Sequence, residues 1–188
     1  GMRVIDLCAA PGGKSFAAAM DMNNEGEIFS FDIQAKKIAK ISGGAARLGI
    51  DIIKADVHDG RDFIAELGDS ADVVIADVPC SGMGTIRKKP DIRYKSANEI
   101  KGLPPIQRDI LENAARYVKK GGVLLYSTCT VLAEENGAIV SSFLDAHDDF
   151  VPEDFVLSPK IRSKGGEVTL WPHRHDCDGF YICKMRRK

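Results

Sequence analysis

Strand-like and helix-like segments alternate along most of this chain, and that alternation limits its fold more than any other feature. Short β-branched and apolar runs read as strands over Arg3–Cys8, Glu27–Asp32, Asp51–Asp56, Ala71–Asp77, Gly122–Thr128 and Gly179–Met185, with Glu167–Trp171 as a seventh. Helical spacing is expected over Lys14–Met22, Ala35–Leu48, Arg61–Leu67, Ile106–Val118 and Glu134–Ala146. Gly49, Gly68 and the pair Gly121-Gly122 read as helix ends, and Leu103-Pro104-Pro105 as a barrier to any helix before 106. Alternation from residue 3 to 146 implies right-handed crossovers and an α/β fold, a mostly parallel sheet with helices on both faces. The last two strands are separated only by PHRHDCDG, so they form an antiparallel C-terminal hairpin. Residues 85–104 read as a long loop rich in Lys, Arg and Pro, the kind of segment that usually carries function.

The stretch DLCAAPGGKS, Asp6 to Ser15, follows a strand and opens a helix. Glycines there let the backbone turn sharply beside a ligand, and the helix N-terminus offers free N–H groups to an anion. Asp32 closes the second strand 19 residues after Gly13, where nucleotide-binding sheets put the carboxylate that holds a ribose. With Asp6, Asp56 and Asp77, four acids end four successive strands and are expected to line one ligand edge. Any one alone reads as a solvated cap; the set is hard to explain that way. Acids around a ligand favour a cationic cofactor over a nucleoside triphosphate.

Two further stretches, DVPCSGMGTIRKKPDIRY from Asp77 and YSTCT from Tyr126, each place a cysteine just beyond a strand. Taken singly, Cys80 and Cys129 read as small core residues. If their strands are neighbours, about 4.8 Å apart, both sit at the ligand edge in polar loops and form a reactive pair.

Length and composition set the frame. At 188 residues, 44% hydrophobic and 28% charged, the chain suits one soluble α/β domain. No apolar run approaches a membrane span, and five cysteines without a disulfide-framework spacing suggest a reduced, cytoplasmic protein. Gly1-Met2 reads as a tag scar before a start codon. A net charge of −1 lacks the basic excess usual in nucleic-acid binders. Arg87, Lys88, Lys89, Arg93 and Lys95 nevertheless form a basic loop beside the active edge, fit to hold phosphates or else simply solvated. His173, His175, Cys177 and Cys183 carry donor chemistry for zinc, but the turn into the hairpin explains them and no metal is expected. Glu134 and Glu135 read as charges favouring a helix N-terminus.

The stretches DLCAAPGGK, DVPCSGMGTIRKKPDIRY and YSTCT followed by AEEN, with the terminal PHRHDCDGFYICKM, resemble the RsmB/Sun/Nol1 family of RNA cytosine-5 methyltransferases over nearly the whole chain. The resemblance implies a Rossmann-like methyltransferase fold, with S-adenosylmethionine as cofactor and RNA, ribosomal or transfer, as substrate. It implies that Cys8, Ala9, Ala10, Pro11, Gly12, Gly13 and Lys14 form the cofactor loop, that Asp32 holds the ribose and that Asp56 approaches the adenine. It further implies that Asp77 faces the reaction centre and the cofactor, that Lys14 is catalytic, that Cys129 is the nucleophile and that Cys80 assists product release; the charges of Arg87, Lys88, Lys89 and Arg93 make them the candidates to hold that RNA. Val78, Met83 and Thr130 depart slightly from the usual motifs and leave both cysteines in place. Nothing matches the N-terminal RNA-gripping segment of such proteins, so the chain is expected to be the catalytic domain alone and to act poorly without that segment. Two other readings remain open. A DNA cytosine methyltransferase would use Cys80 as nucleophile, and a non-catalytic S-adenosylmethionine-binding fragment would use neither cysteine.

Overall fold

The computed structural model describes residues 1–188. Its main sheet has eight strands in the order β3-β2-β1-β4-β5-β10-β6, with β9 also paired to β10. The five parallel members are β1 (Met2–Asp6), β2 (Gly26–Asp32), β3 (Ile53–Val57), β4 (Ala71–Asp77) and β5 (Val118–Thr128). Between them run α1 (Gly13–Asp21), α2 (Ala35–Leu48), α3 (Ala97–Lys101) and α4 (Leu103–Ala115), and α5 (Gly137–Ala146) follows β5. The chain closes with the short strands β6 (Phe150–Pro152), β7 (Val156–Ser158) and β8 (Ile161–Arg162), then β9 (Glu167–Leu170), a one-turn α6 (Pro172–His175) and β10 (Phe180–Arg187). Strand β10 is antiparallel to β5 on one side and to β9 and β6 on the other, so the expected hairpin is present.

Side-chain alternation sorts the core onto the two faces of the sheet. Val4, Ile28 and Ile75 pack with Ala19 of α1 and with Met22, which caps its end. Their neighbours Ile5 and Val74 belong to the larger cluster with Leu111 and Ala114 of α4 and Phe143 of α5. A one-residue slip would exchange these two sets, which is what pins the register.

The structure departs from the sequence reading where side chains compete for backbone groups. The helix expected over Arg61–Leu67 shrinks to a 3₁₀ turn at Ala65–Leu67. Asn113 Nδ2 donates to the carbonyls of Gly60 (2.8 Å) and Asp62 (2.7 Å), and Ile64 N donates to Tyr117 Oη (2.8 Å), so the groups a helix would pair are already engaged. Conversely, α4 starts at Leu103, before the two prolines, because a first turn has no use for their missing N–H groups. Gly121-Gly122 lies inside β5 rather than after a helix, with Gly121 at φ 76° beside a register shift between β4 and β5. Gly68, at φ −58°, is no left-handed cap, whereas Gly49 is (φ 67°). The helix expected from Glu134 begins at Gly137, because Asn136 is held out of helical geometry by bonds to Thr128 Oγ1 and the Thr130 carbonyl. Residues 85–104 are not bare loop: a 3₁₀ turn spans Pro90–Tyr94, and a Ser96/Glu99 capping box opens α3.

Candidate functional site

Everything of chemical interest gathers where the parallel strands end. The loop from Leu7 to Gly12 is stitched to the sheet by Leu7 N to the Ile75 carbonyl (3.0 Å) and Ala9 N to the Phe31 carbonyl (2.8 Å). It then turns tightly, Gly12 N donating to the Ala9 carbonyl (2.7 Å) with Gly12 at φ 110°. A Cβ at Gly12 would fall 2.4 Å from the Phe16 ring, so both the turn and the packing demand glycine. No side chain caps α1, which leaves its first N–H groups pointing out of the helix toward this edge.

Beneath the loop Asp6 is fully buried, accepting from Ser15 Oγ (2.8 Å), which in turn accepts from Ser30 Oγ (2.8 Å). Burial pushes the Asp6 carboxyl up to about 7, and its second oxygen has no partner. Asp6 therefore braces the loop from below and does not line the ligand edge, contrary to the four-acid reading.

Beside the loop lies a cavity of about 370 Å³. Its wall includes Leu7, Cys8 and Ala10 from the loop, Asp32 and Asp77 from strand ends, and Ile106 and Ile110 from α4. Asp32 is only 7% exposed; it accepts from Gln34 N (2.9 Å) and stands 3.8 Å from Lys37 Nζ. Asp56 is not in this wall. It is exposed and folds back on Val57 N (2.7 Å), because the chain continues past β3 before turning in, and Asp59 takes the position expected of it. Asp59 also holds Arg61 in a two-pronged ion pair, which keeps its carboxyl below the usual range. Ala9 is buried, while Pro11, Gly12 and Gly13 shape the turn without facing the cavity. The Cys8 thiol is pushed up by burial and by Asp6 and Asp32, so it stays protonated and inert. A larger, shallow depression of about 570 Å³ sits at the opposite ends of β1 and β2, among Arg3, Glu27 and Lys54, and holds none of these groups.

At the mouth of the cavity Lys14 Nζ meets Asp77 Oδ2 at 2.5 Å, and Ser127 Oγ donates to Asp77 Oδ1 (2.7 Å). Residues Asp77 and Ser127 are register partners on adjacent strands. The loops that continue from those strands bring Cys80 Sγ and Cys129 Sγ to 3.2 Å. The Cys80 S–H bond to its partner lowers Cys129 to about 7, and nearby Lys89 acts in the same direction. The Cys80 thiol is itself pushed up, first by that bond and then by burial. At neutral pH a substantial share of Cys129 is thiolate, the form that attacks.

A buried polar clamp holds the two cysteine loops together, and its members went unrecognised in the sequence. Glu135 Oε2 accepts from Ser81 N (2.8 Å) and from Gln107 Nε2 (2.7 Å), and the same Gln107 nitrogen reaches the Pro79 carbonyl (3.0 Å). Ser81 Oγ donates to Thr130 Oγ1 (2.9 Å), tying one loop directly to the other. Gly84 and Gly179 complete the clamp: a Cβ on Gly84 would fall 2.0 Å from the Gly179 carbonyl oxygen. Removing Glu135 would leave the buried Ser81 N without a partner, at about 1–3 kcal/mol, and Gln107 Nε2 with the Pro79 carbonyl alone.

The basic loop divides in two. Arg87 and Lys88 pair with Asp176 (3.3 Å) and Asp178 (2.7 Å) of the turn before β10, whereas Lys89 and Arg93 have no carboxylate partner. His175 Nδ1 accepts from Trp171 N (2.8 Å) and so serves that same turn, and Cys183 is buried within β10. No three His, Cys, Asp or Glu side chains are grouped to hold a metal ion, and no helix is long and apolar enough to cross a membrane.

Known proteins resemble this chain in sequence and fold. Residues 1–186 match the family described as 16S rRNA methyltransferase RsmB/F, a family dependent on S-adenosylmethionine. Over 192 residues the chain is 41% identical to the probable ribosomal RNA small subunit methyltransferase B of Bacillus subtilis, covering 98% of this chain and 43% of that protein. It is 33% identical over 191 residues to ribosomal RNA small subunit methyltransferase F of Escherichia coli, covering 98% and 40%. The chain thus spans less than half the length of either relative. The crystal structure of NSun6 from Pyrococcus horikoshii with SFG superimposes with a TM-score of 0.83 at 31% identity, over 99% of this chain and 48% of that one. With the family pattern running unbroken from β1 to the last strand, over a sheet that brings its two cysteines together, the chain belongs to the RsmB/F family of 16S rRNA methyltransferases.

Proposed function

We propose that this chain is the catalytic domain of an enzyme that methylates carbon 5 of a cytosine in ribosomal RNA, in the cytoplasm, through a transient bond to Cys129. The observation that carries the reading is the 3.2 Å approach of Cys80 and Cys129 beside the Lys14–Asp77 pair. A single perturbed thiol would suit many reactions; two at the mouth of a nucleotide-sized cavity suit addition to a base followed by elimination from it.

The cavity fits S-adenosylmethionine. Its size is in the range that holds a cofactor, uncapped N–H groups of α1 suit a carboxylate, and Asp32 suits a pair of ribose hydroxyls. Asp59 and the apolar Ile33, Ile106 and Ile110 suit the adenine. S-adenosylmethionine held there supplies an electrophilic methyl group, which carbon 5 of the activated base takes up. The thiolate of Cys129 adds to carbon 6, and the displaced electrons make carbon 5 enamine-like. Lys14 Nζ donates one hydrogen bond to Asp77 Oδ2 and has further N–H groups to offer N3 as charge builds there. Loss of the carbon 5 proton then restores the ring double bond and expels Cys129 as thiolate.

Two measurements test the assignment. Incubation with labelled S-adenosylmethionine and 16S rRNA, then digestion to nucleosides, is expected to yield 5-methylcytidine; label in any other nucleoside overturns the cytosine-5 reading. By isothermal titration with S-adenosylhomocysteine, Asp32→Ala is expected to weaken binding roughly tenfold or more, the loss of one or two charge-assisted hydrogen bonds. Asp59→Ala should weaken it as well, and Asp56→Ala should leave it unchanged. The reverse order for the last two would restore Asp56 as the adenine contact.

A further inference from the structure

The basic segment beside the cysteines carries an aromatic ring that nothing in the fold uses. Tyr94 is 75% exposed, more than any other large apolar side chain of the chain. Arg93 lies against it, its guanidinium carbon 5.0 Å from the ring centroid and its Nη2 donating to Tyr94 Oη (2.9 Å). The pair is held in place from below. Ile92 packs on Gly82, where an added Cβ would come within 3.1 Å of its Cδ1, and Lys95 Nζ donates to the Ser81 carbonyl (2.7 Å). Tyr94 is therefore adjacent in the chain to a residue bonded to the neighbour of Cys80. Charge around it is one-sided: residues 85–95 carry five Lys or Arg against the single acid Asp91, in a chain of net charge −1. Of those five, Lys89, Arg93 and Lys95 are unpaired by carboxylates, and Lys89 is close enough to Cys129 to favour its thiolate.

An exposed ring backed by a guanidinium and flanked by unneutralised cations is the chemistry that grips an unpaired nucleotide: the ring takes a base face and the cations take phosphates. Base faces are covered in a duplex, so the ligand this arrangement fits is single-stranded. We propose that Tyr94, with Arg93 and Lys89, is a stacking site for a base next to the target in a single-stranded RNA segment. Seated there, that base delivers its neighbour toward the Cys80–Cys129 pair. The proposal rests on the RNA-substrate reading above and adds to it where, and in what state, the strand is held.

The test compares binding of three fluorescein-labelled probes by anisotropy at fixed salt: single-stranded oligocytidine of twelve nucleotides, the same strand paired with oligoguanosine, and a twelve-unit abasic ribose-phosphate chain. Tyr94→Ala is expected to weaken oligocytidine binding about tenfold, the scale of one lost base–aromatic stack, and Tyr94→Phe to retain it. Binding of the abasic chain should be the same in wild type and Tyr94→Ala, since it reads charge alone, whereas Lys89→Ala should weaken both. Unchanged oligocytidine binding by Tyr94→Ala overturns the proposal, and so does an equal loss on the abasic chain or a wild type that binds none of the three. A ring this exposed supports no core, so the variants fold, and thermal unfolding checks it. If the Tyr94 effect appears while wild type transfers no methyl group to 16S rRNA, the stacking site stands and the catalytic reading falls. If methylation proceeds and the Tyr94 effect is absent, the reverse holds.

Discussion

Protein carrying Cys129→Ala is expected to transfer no detectable methyl group to RNA, a loss of roughly four orders of magnitude or more for removal of the nucleophile proposed above. It should also form no band of covalently joined protein and RNA on a denaturing gel. Both expectations follow from where the charge sits. The sulfurs share one hydrogen bond in which either could donate; because Cys129 is lowered and Cys80 raised, we place the thiolate of the pair on Cys129 and the proton on Cys80. With Cys129 lowered to about 7, the reactive form grows as pH rises through neutrality and is lost below it. Alkylation by iodoacetamide should therefore be half-maximal near pH 7 at Cys129 in the wild type. In Cys80→Ala the midpoint should move up toward the ordinary thiol value of about 8.5, because the donor is gone. An alkylation midpoint unmoved by Cys80→Ala would show that the contact does not activate Cys129. A covalent band that persisted in Cys129→Ala would make Cys80 the nucleophile, as the DNA-type arrangement requires.

The sheet and the edge that carries the chemistry can be read from the chain because local and long-range signals agree there. Strands β1, β2 and β4 end in Asp6, Asp32 and Asp77, and the strand–helix alternation implies a doubly wound parallel sheet in which β4 and β5 are neighbours, as the order 3-2-1-4-5 has them. Adjacency of β4 and β5 then brings Cys80 and Cys129 together without further information, and 3.2 Å between their sulfurs is the result.

What could not be read is set by contacts between residues far apart in sequence. Glu135 has the spacing of a helix-capping acid, yet it is buried and accepts from Ser81, 54 residues away. Nothing in a run of Ala-Glu-Glu-Asn tells a capping acid from a clamp. Asp56 and Asp59 differ by less than one turn of chain past β3, and only the path of Val57–Gly60, held by Asn113 from α4, decides which one turns inward. The same bond removed the helix expected over Arg61–Leu67. Asp6 misled for the opposite reason. It ends a strand and faces the same side as Asp77, but it pairs with Ile75, two residues short of Asp77, so it lies deeper under the loop, where burial raises it to about 7 and Ser15 takes the bond.

Cys80→Ala is expected to behave in the opposite way to Cys129→Ala, forming the RNA adduct readily and failing to let it go. While Cys129 is a thiolate, its charge and its claim on the S–H hydrogen keep Cys80 protonated. Addition of Cys129 to carbon 6 converts that thiolate to a neutral thioether, so the cause that raised Cys80 first is removed at the step after which a base is needed. Cys80 can then give up its proton to water and take the one on carbon 5. The electrons of that C–H bond form the 5,6 double bond, and the bond from carbon 6 to Cys129 breaks. Without Cys80 the base accepts its methyl group and stalls, joined to Cys129. A gel of protein incubated with labelled RNA and S-adenosylmethionine should show the adduct as a discrete band in Cys80→Ala, scarce in the wild type and missing in the double variant. Turnover should fall by about 10²–10⁴-fold, the usual worth of a positioned base. A Cys80→Ala protein that turns over at the wild-type rate, with no adduct, would assign the carbon 5 proton to another group, and the Lys14–Asp77 pair at the same mouth would be the next to test.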